Sequence, residues 1–115
     1  MDIEYINNLH DSSVQELKLV DGELDNLKLD DKFNVIKLAS NKIAHGGILC
    51  LSAIDALEVS RGMYRGYLTL QEFNSLLRPS LCTSNDVVAL LASIDFDVQI
   101  IRVNNYRYYI EAQRP

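Results

Sequence analysis

Apolar residues recur along this chain with two different periods, and each change of period marks an element. Leu17, Val20, Leu24 and Leu27 return at the three-and-four spacing of a narrow helical seam, and Ser13 with Glu16 three residues on has capping-box spacing. The pattern predicts a helix. The same stretch also reads as strands, because Asp21-Gly22 resembles a hairpin turn and the Leu-Lys-Leu triplets at 17–19 and 27–29 alternate. A second helix is predicted from Asp31 to about Ala44, with Phe33, Ile36, Ala39 and Ile43 on one face, His45 in its last turn and Gly46-Gly47 as the stop. From Ile48 to Ser60 nearly every position is apolar, and Ser52, Asp55 and Glu58 leave one thin polar stripe at three-residue spacing. That predicts a buried core helix.

Beyond it, residues 61–67 carry two glycines, two arginines and two tyrosines and read as a loop. Thr69 with Glu72 forms a capping box, and Leu68 with Phe73 a hydrophobic staple, so a short helix is predicted over 70–77. Arg78-Pro79-Ser80 breaks it. Thr83 or Ser84 then caps a helix whose buried face is Val87, Leu90, Leu91 and Ile94. Two β-rich runs, Val98–Val103 and Tyr106–Glu111, close the chain around Asn104-Asn105, the two-residue signature of a β-hairpin. In the register this turn implies, Val103 faces Tyr106 and Arg102 faces Arg107. Ile101, Val103, Tyr106, Tyr108 and Ile110 then share one apolar face.

Like charges placed directly opposite each other are unfavourable. Arg102 and Arg107 on the polar face therefore suggest that an anion comes between them. The alternative is pairing with acids of the first half, such as Asp25 or Asp30. The chain is 115 residues long with a net charge of −5, and the charge is segregated. Residues 1–60 hold five lysines against eleven acids, whereas residues 61–115 hold six arginines against five acids. Arginine suits bidentate contacts to phosphate and bases, so the second half reads as the binding half. Length and composition fit one small globular unit. The longest apolar run, Val87 to Ala92, falls far short of the roughly 20 residues of a membrane helix, and the first residues lack the features of a signal peptide. A cytoplasmic protein with reduced thiols at Cys50 and Cys82 is expected, without a metal or cofactor.

Buried helix, loop, short helix, turn, second short helix and hairpin follow one another over about residues 48–112, and this order resembles a winged helix-turn-helix. The resemblance implies an α+β, mainly helical fold: a winged-helix domain over 48–115 with a C-terminal β-hairpin wing, preceded by an N-terminal helical extension over 1–47, the two forming one compact unit. It implies that Leu17, Val20, Leu24 and Leu27 make a homodimer seam. It also implies a non-catalytic protein that binds double-stranded DNA, a small transcriptional regulator or a plasmid- or phage-type accessory factor. Arg102, Arg107, Asn104 and Asn105 of the wing would anchor the backbone with Arg61, Arg65 and Arg78, while Ser84 and Asn85 start the helix in the major groove. That helix has no outward cation, and the pI is near 4.8. The alternative is thus an acidic winged-helix module that binds protein and not nucleic acid. No HExxH, GxSxG, GxxxxGK or paired Cys/His spacing is present, so no enzyme is expected.

Overall fold

The computed structural model describes residues 3–78 and 81–115. Its elements in chain order are α1 (Ile3–Asn8), β1 (Val14–Leu19), α2 (Leu29–Lys42), β2 (Ile43–Ile54), α3 (Ala56–Tyr64), α4 (Leu70–Leu76), α5 (Ser84–Ser93), β3 (Asp97–Asn104) and β4 (Arg107–Gln113). The four strands form one sheet in the order β1-β2-β4-β3. β1 and β2 run parallel, joined through α2, and β4 runs antiparallel to both of its neighbours. A central mixed sheet with a parallel crossover is not a winged helix, and the mainly helical expectation is corrected accordingly. No helix among the described residues is long and apolar enough to cross a membrane.

The largest correction concerns residues 48–60. They are not one buried helix but the second half of β2 followed by α3. Leu49, Leu51 and Ala53 face the main core, where they meet Ile36 and Ala39 of α2 and Val87 and Leu91 of α5. Cys50, Ser52 and Ile54 face the other way and are buried too. A central strand whose residues are buried on both faces loses its alternation and reads as a continuous apolar run, which periodicity alone cannot separate from a buried helix. Asp55, read as part of a polar stripe, is in fact the N-cap of α3, its carboxylate accepting from the amides of Leu57 and Glu58. The pair Asp55/Glu58 thus marked a helix start.

Residues 13–27 are likewise no helix. Leu17 and Leu19 point inward at the two-residue period of β1, while Leu24 is buried in the loop that follows it. Pairing of Leu17 with Leu49 and Leu19 with Leu51 supplies both ladder bonds and burial, of about 1.5–3 kcal/mol per leucine, and so outweighs helical propensity. Helix α2 forms close to where periodicity placed it, with Asp30 and Asp31 in its first turn and Lys42 in its last, as the helix dipole favours. It ends at Lys42 because Ile43 already belongs to β2. The glycine pair lies inside that strand, where the register skips from Val14↔Ile43 to Glu16↔Ile48. Gly46 has φ +79°, and a Cβ on Gly47 would sit 2.9 Å from the carbonyl oxygens of both Gln15 and Ala44. Here the glycines allow a close strand approach and do not stop a helix.

The capping boxes at Thr69/Glu72 and Thr83/Asp86 both form, and α4 and α5 follow them. Pro79 and Ser80 of the expected helix break lie outside the described residues. The hairpin forms with its turn one residue later than expected: Asn105 and Tyr106 both have positive φ, 52° and 65°. Asn104 therefore faces Arg107, and Arg102 faces Tyr109. Moving the turn by one residue on each strand preserves the alternation, so Ile101, Val103, Tyr108 and Ile110 still share a face. Tyr106 leaves it. Its ring packs into a second small core with Ile54, Val59 and Leu68, and its carbonyl accepts from the Asp55 amide at 2.8 Å. Those contacts offset the roughly 1–2 kcal/mol that a left-handed tyrosine costs.

Candidate functional site

In open α/β sheets, ligands bind outside the carboxyl ends of the parallel strands. In this protein that edge is where β1 and β2 end, at Leu19 and Ile54, and where the β3–β4 turn projects. Two buried carboxylates organise it. Asp25, in the loop after β1, accepts from the Ile54 amide through Oδ1 at 3.0 Å and from Arg107 Nη1 through Oδ2 at 2.9 Å. It ties the exit of β1 to the end of β2 and the start of β4. Asp55 caps α3 through Oδ1, and its Oδ2 accepts from the amide of Ser84, the first residue of α5, at 3.2 Å. One aspartate thereby fixes the origins of two helices.

Beneath this edge lies a buried polar group of Lys32, Cys82 and Tyr108. The Lys32 ammonium donates to Cys82 Sγ at 3.2 Å and stands 5.5 Å from the centre of the Tyr108 ring. Burial pushes the Cys82 thiol above its ordinary range and raises the Tyr108 phenol strongly. The Tyr108 hydroxyl is fully enclosed and has no hydrogen-bond partner among the described residues. Such a hydroxyl carries its desolvation cost unrelieved.

Two recesses flank the hairpin tip. One, of about 340 Å³, lies between α3 and the turn and includes Arg61, Arg65, Tyr67, Asn104 and Asn105. The other, of about 380 Å³, opens on the sheet face away from the main core and is lined by Ser52, Arg102, Asn104, Arg107, Tyr108 and Tyr109. The arginines singled out in the sequence thus come together in two groups. Arg102 and Arg107 lie diagonally across one face, not directly opposite, and Arg107 is already paired with Asp25. Arg61 is bound to Glu58 at 2.9 Å. Arg78 stands apart, donating to the carbonyls of Ser75 and Leu77. Ser84 is tied to Asp55 through its amide, and Asn85 is exposed on the first turn of α5. The four residues of the expected dimer seam lie within the monomer: Leu17 and Leu24 are in the core, Leu27 packs against it, and Val20 is half-buried. Sequence reasoning missed Asp25 as an organiser and Asp55 altogether. The spacing of Asp55 and Glu58 was the available signal.

No protein-family model and no curated protein matches the sequence. Solved structures do match, over nearly all of this chain. An O-methyltransferase family protein from Burkholderia thailandensis superposes with TM-score 0.67 at 14% identity, over 98% of this chain and 33% of its own. Magnesium protoporphyrin IX methyltransferase from Synechocystis PCC 6803, solved with bound SAH, gives 0.68 at 15% identity, over 96% and 48%. A SAM-dependent methyltransferase from Archaeoglobus fulgidus gives 0.66 at 12% identity, over 99% and 66%. The fold is that of the SAM-dependent methyltransferases. The chain spans between a third and two-thirds of the length of these methyltransferases. This likeness overturns the winged-helix reading and the functional expectations that followed from it: the DNA-binding regulator, the acidic interaction module and the non-catalytic protein.

Proposed function

We propose that this chain contributes to a methyltransferase that uses S-adenosylmethionine as methyl donor. The observation that carries the reading is the sheet itself. A parallel β1-α2-β2 unit is followed by a hairpin that places β4 antiparallel against β2 and leaves β3 at the rim. That arrangement superposes on methyltransferases over 93–99% of the chain in several cases.

The residues present do not make a complete cofactor site. Asp25 and Asp55, the buried carboxylates at the carboxyl edge, are both spent on backbone amides, with Arg107 as a further partner of Asp25. Neither is free to take a ribose diol or the ammonium of the amino-acid end. The five glycines, at 22, 46, 47, 62 and 66, do not compose a G-x-G-x-x-G turn. Asp21, in the loop after β1, is exposed. Among the described residues β1 has a strand neighbour on one side only, which leaves its other edge open.

The test is a titration of S-adenosylhomocysteine into the ¹⁵N-labelled protein. Amide resonances of residues 20–25 and 55–58 should move at millimolar ligand, the weak affinity expected of a partial site. If none of them moves, or if the perturbed amides lie elsewhere, the reading fails.

A further inference from the structure

The recess on the open sheet face shares only Arg107 with the carboxyl edge, through its pair with Asp25. Ser52 is 8% exposed, and its hydroxyl has no hydrogen-bond partner among the described residues. It opens into the recess that it lines. With no protein partner, that hydroxyl can bond to whatever enters the recess. Arg102 and Asn104 also line the recess and bond to no other side chain among the described residues. Arg107 is held in place by Asp25 through Nη1 alone, which leaves other guanidinium donors available.

Diagonal cross-strand neighbours stand roughly 7–8 Å apart, a gap that two long guanidinium side chains can close on one carboxylate. Since the Arg107–Asp25 pair is neutral, the unpaired charge is that of Arg102, and a single negative charge balances it. Glu111, the acid on the same face of β4, is engaged by the Tyr109 hydroxyl at 2.6 Å. The Tyr109 ring supplies an apolar wall beside the polar rim. The recess beside α3 is the poorer anion site, because Glu58 occupies Arg61 there and the carbonyl end of α3 repels negative charge.

The geometry points to a binding site for a small monocarboxylic acid with a flat apolar body, its carboxylate held by Arg102, Arg107, Asn104 and the Ser52 hydroxyl and its body lying on Tyr109. The site stands on these residues alone and does not depend on the methyl-transfer reading. Benzoate, acetate and inorganic phosphate are the probes, each titrated at low salt while the arginine Nε–H resonances are followed. Benzoate should shift the Nε–H signals of Arg102 and Arg107 and bind at least about tenfold more tightly than acetate or phosphate. Arg102→Ala, at an exposed position, should weaken benzoate by on the order of tenfold, and Arg102→Lys by less. Equal responses to all three anions would overturn the assignment, as would affinity unchanged in Arg102→Ala. Silent Nε–H signals at tens of millimolar benzoate would overturn it too.

Discussion

Removing the Asp25 carboxylate separates the two jobs that it performs. In Asp25→Ala the Ile54 amide, at the buried end of β2, loses its acceptor, which costs about 1–3 kcal/mol for an orphaned buried donor. The ion pair with Arg107 is lost as well. Because the Arg107 side chain is 34% exposed, solvent screens that pair, and it contributes less than about 1 kcal/mol. The sum is roughly 1–4 kcal/mol, a large share of the 5–15 kcal/mol typical of a domain. In Asp25→Asn the amide oxygen still accepts from Ile54 and only the charge is lost, so the cost should stay near 1 kcal/mol or below. Urea unfolding reads the difference: with a slope of about 1–3 kcal/mol per molar, the alanine midpoint should fall by about 0.5–2 M and the asparagine midpoint by less than half of that. A double-mutant cycle with Arg107→Met should give a coupling below about 1 kcal/mol. The reasoning fails if asparagine is as damaging as alanine, or if alanine costs under about 0.5 kcal/mol.

Tyr108→Phe removes a buried hydroxyl that has no partner and keeps the ring near Lys32, so the thermal midpoint should stay level or rise; a clear fall would show that the hydroxyl is satisfied. Gly47→Ala forces a methyl to within 2.9 Å of two carbonyl oxygens and should destabilise by about 1–3 kcal/mol in thermal or urea melts, whereas a neutral result would mean that β1 and β2 approach less closely. Burial raises the thiols of Cys50 and Cys82, so the folded state favours their neutral form. The stability they contribute is fully present below the unfolded thiol value of about 8.5 and is lost as pH rises through the higher folded values. A thermal midpoint that is level from pH 7 to about 8.5 and falls above it is expected, with a shallower fall in the Cys50→Ala/Cys82→Ala protein.

Local signals carried much of the helical structure. The capping box at Thr69 and the cap expected at Thr83 or Ser84 are decided by groups within four residues, and α4 and α5 start where they indicated. The hairpin was legible for the same reason, although its register depended on a contact the sequence does not advertise, the packing of Tyr106 beside Val59 and Leu68. What failed was the burial state of β2. Covered on one face by α2 and α5 and enclosed on the other beside Tyr109 and Glu111, it shows no alternation, and one apolar run of that kind fits a strand or a helix equally. Once Ile48–Ser60 is read as a helix, the remaining elements fall into a winged-helix order. The polar residues that could have corrected it were Asp25 and Asp55, whose partners lie about thirty residues away in sequence. Of the candidate site, the arginine pair was visible and its anchoring by Asp25 was foreseen as an alternative. Ser52, which stands across Tyr109 from Arg102, was not, because it belongs to another strand.

The placement of β2 decides between the two folds, and cross-strand nuclear Overhauser effects measure it directly. The account predicts strand-type chemical shifts through Leu49–Ile54, with parallel contacts from Leu17 to Leu49 and antiparallel contacts from Leu51 to Ile110 and Ala53 to Tyr108. Helical shifts running unbroken from Ile48 to Ser60, without those contacts, would contradict the methyltransferase fold and every functional inference drawn from it.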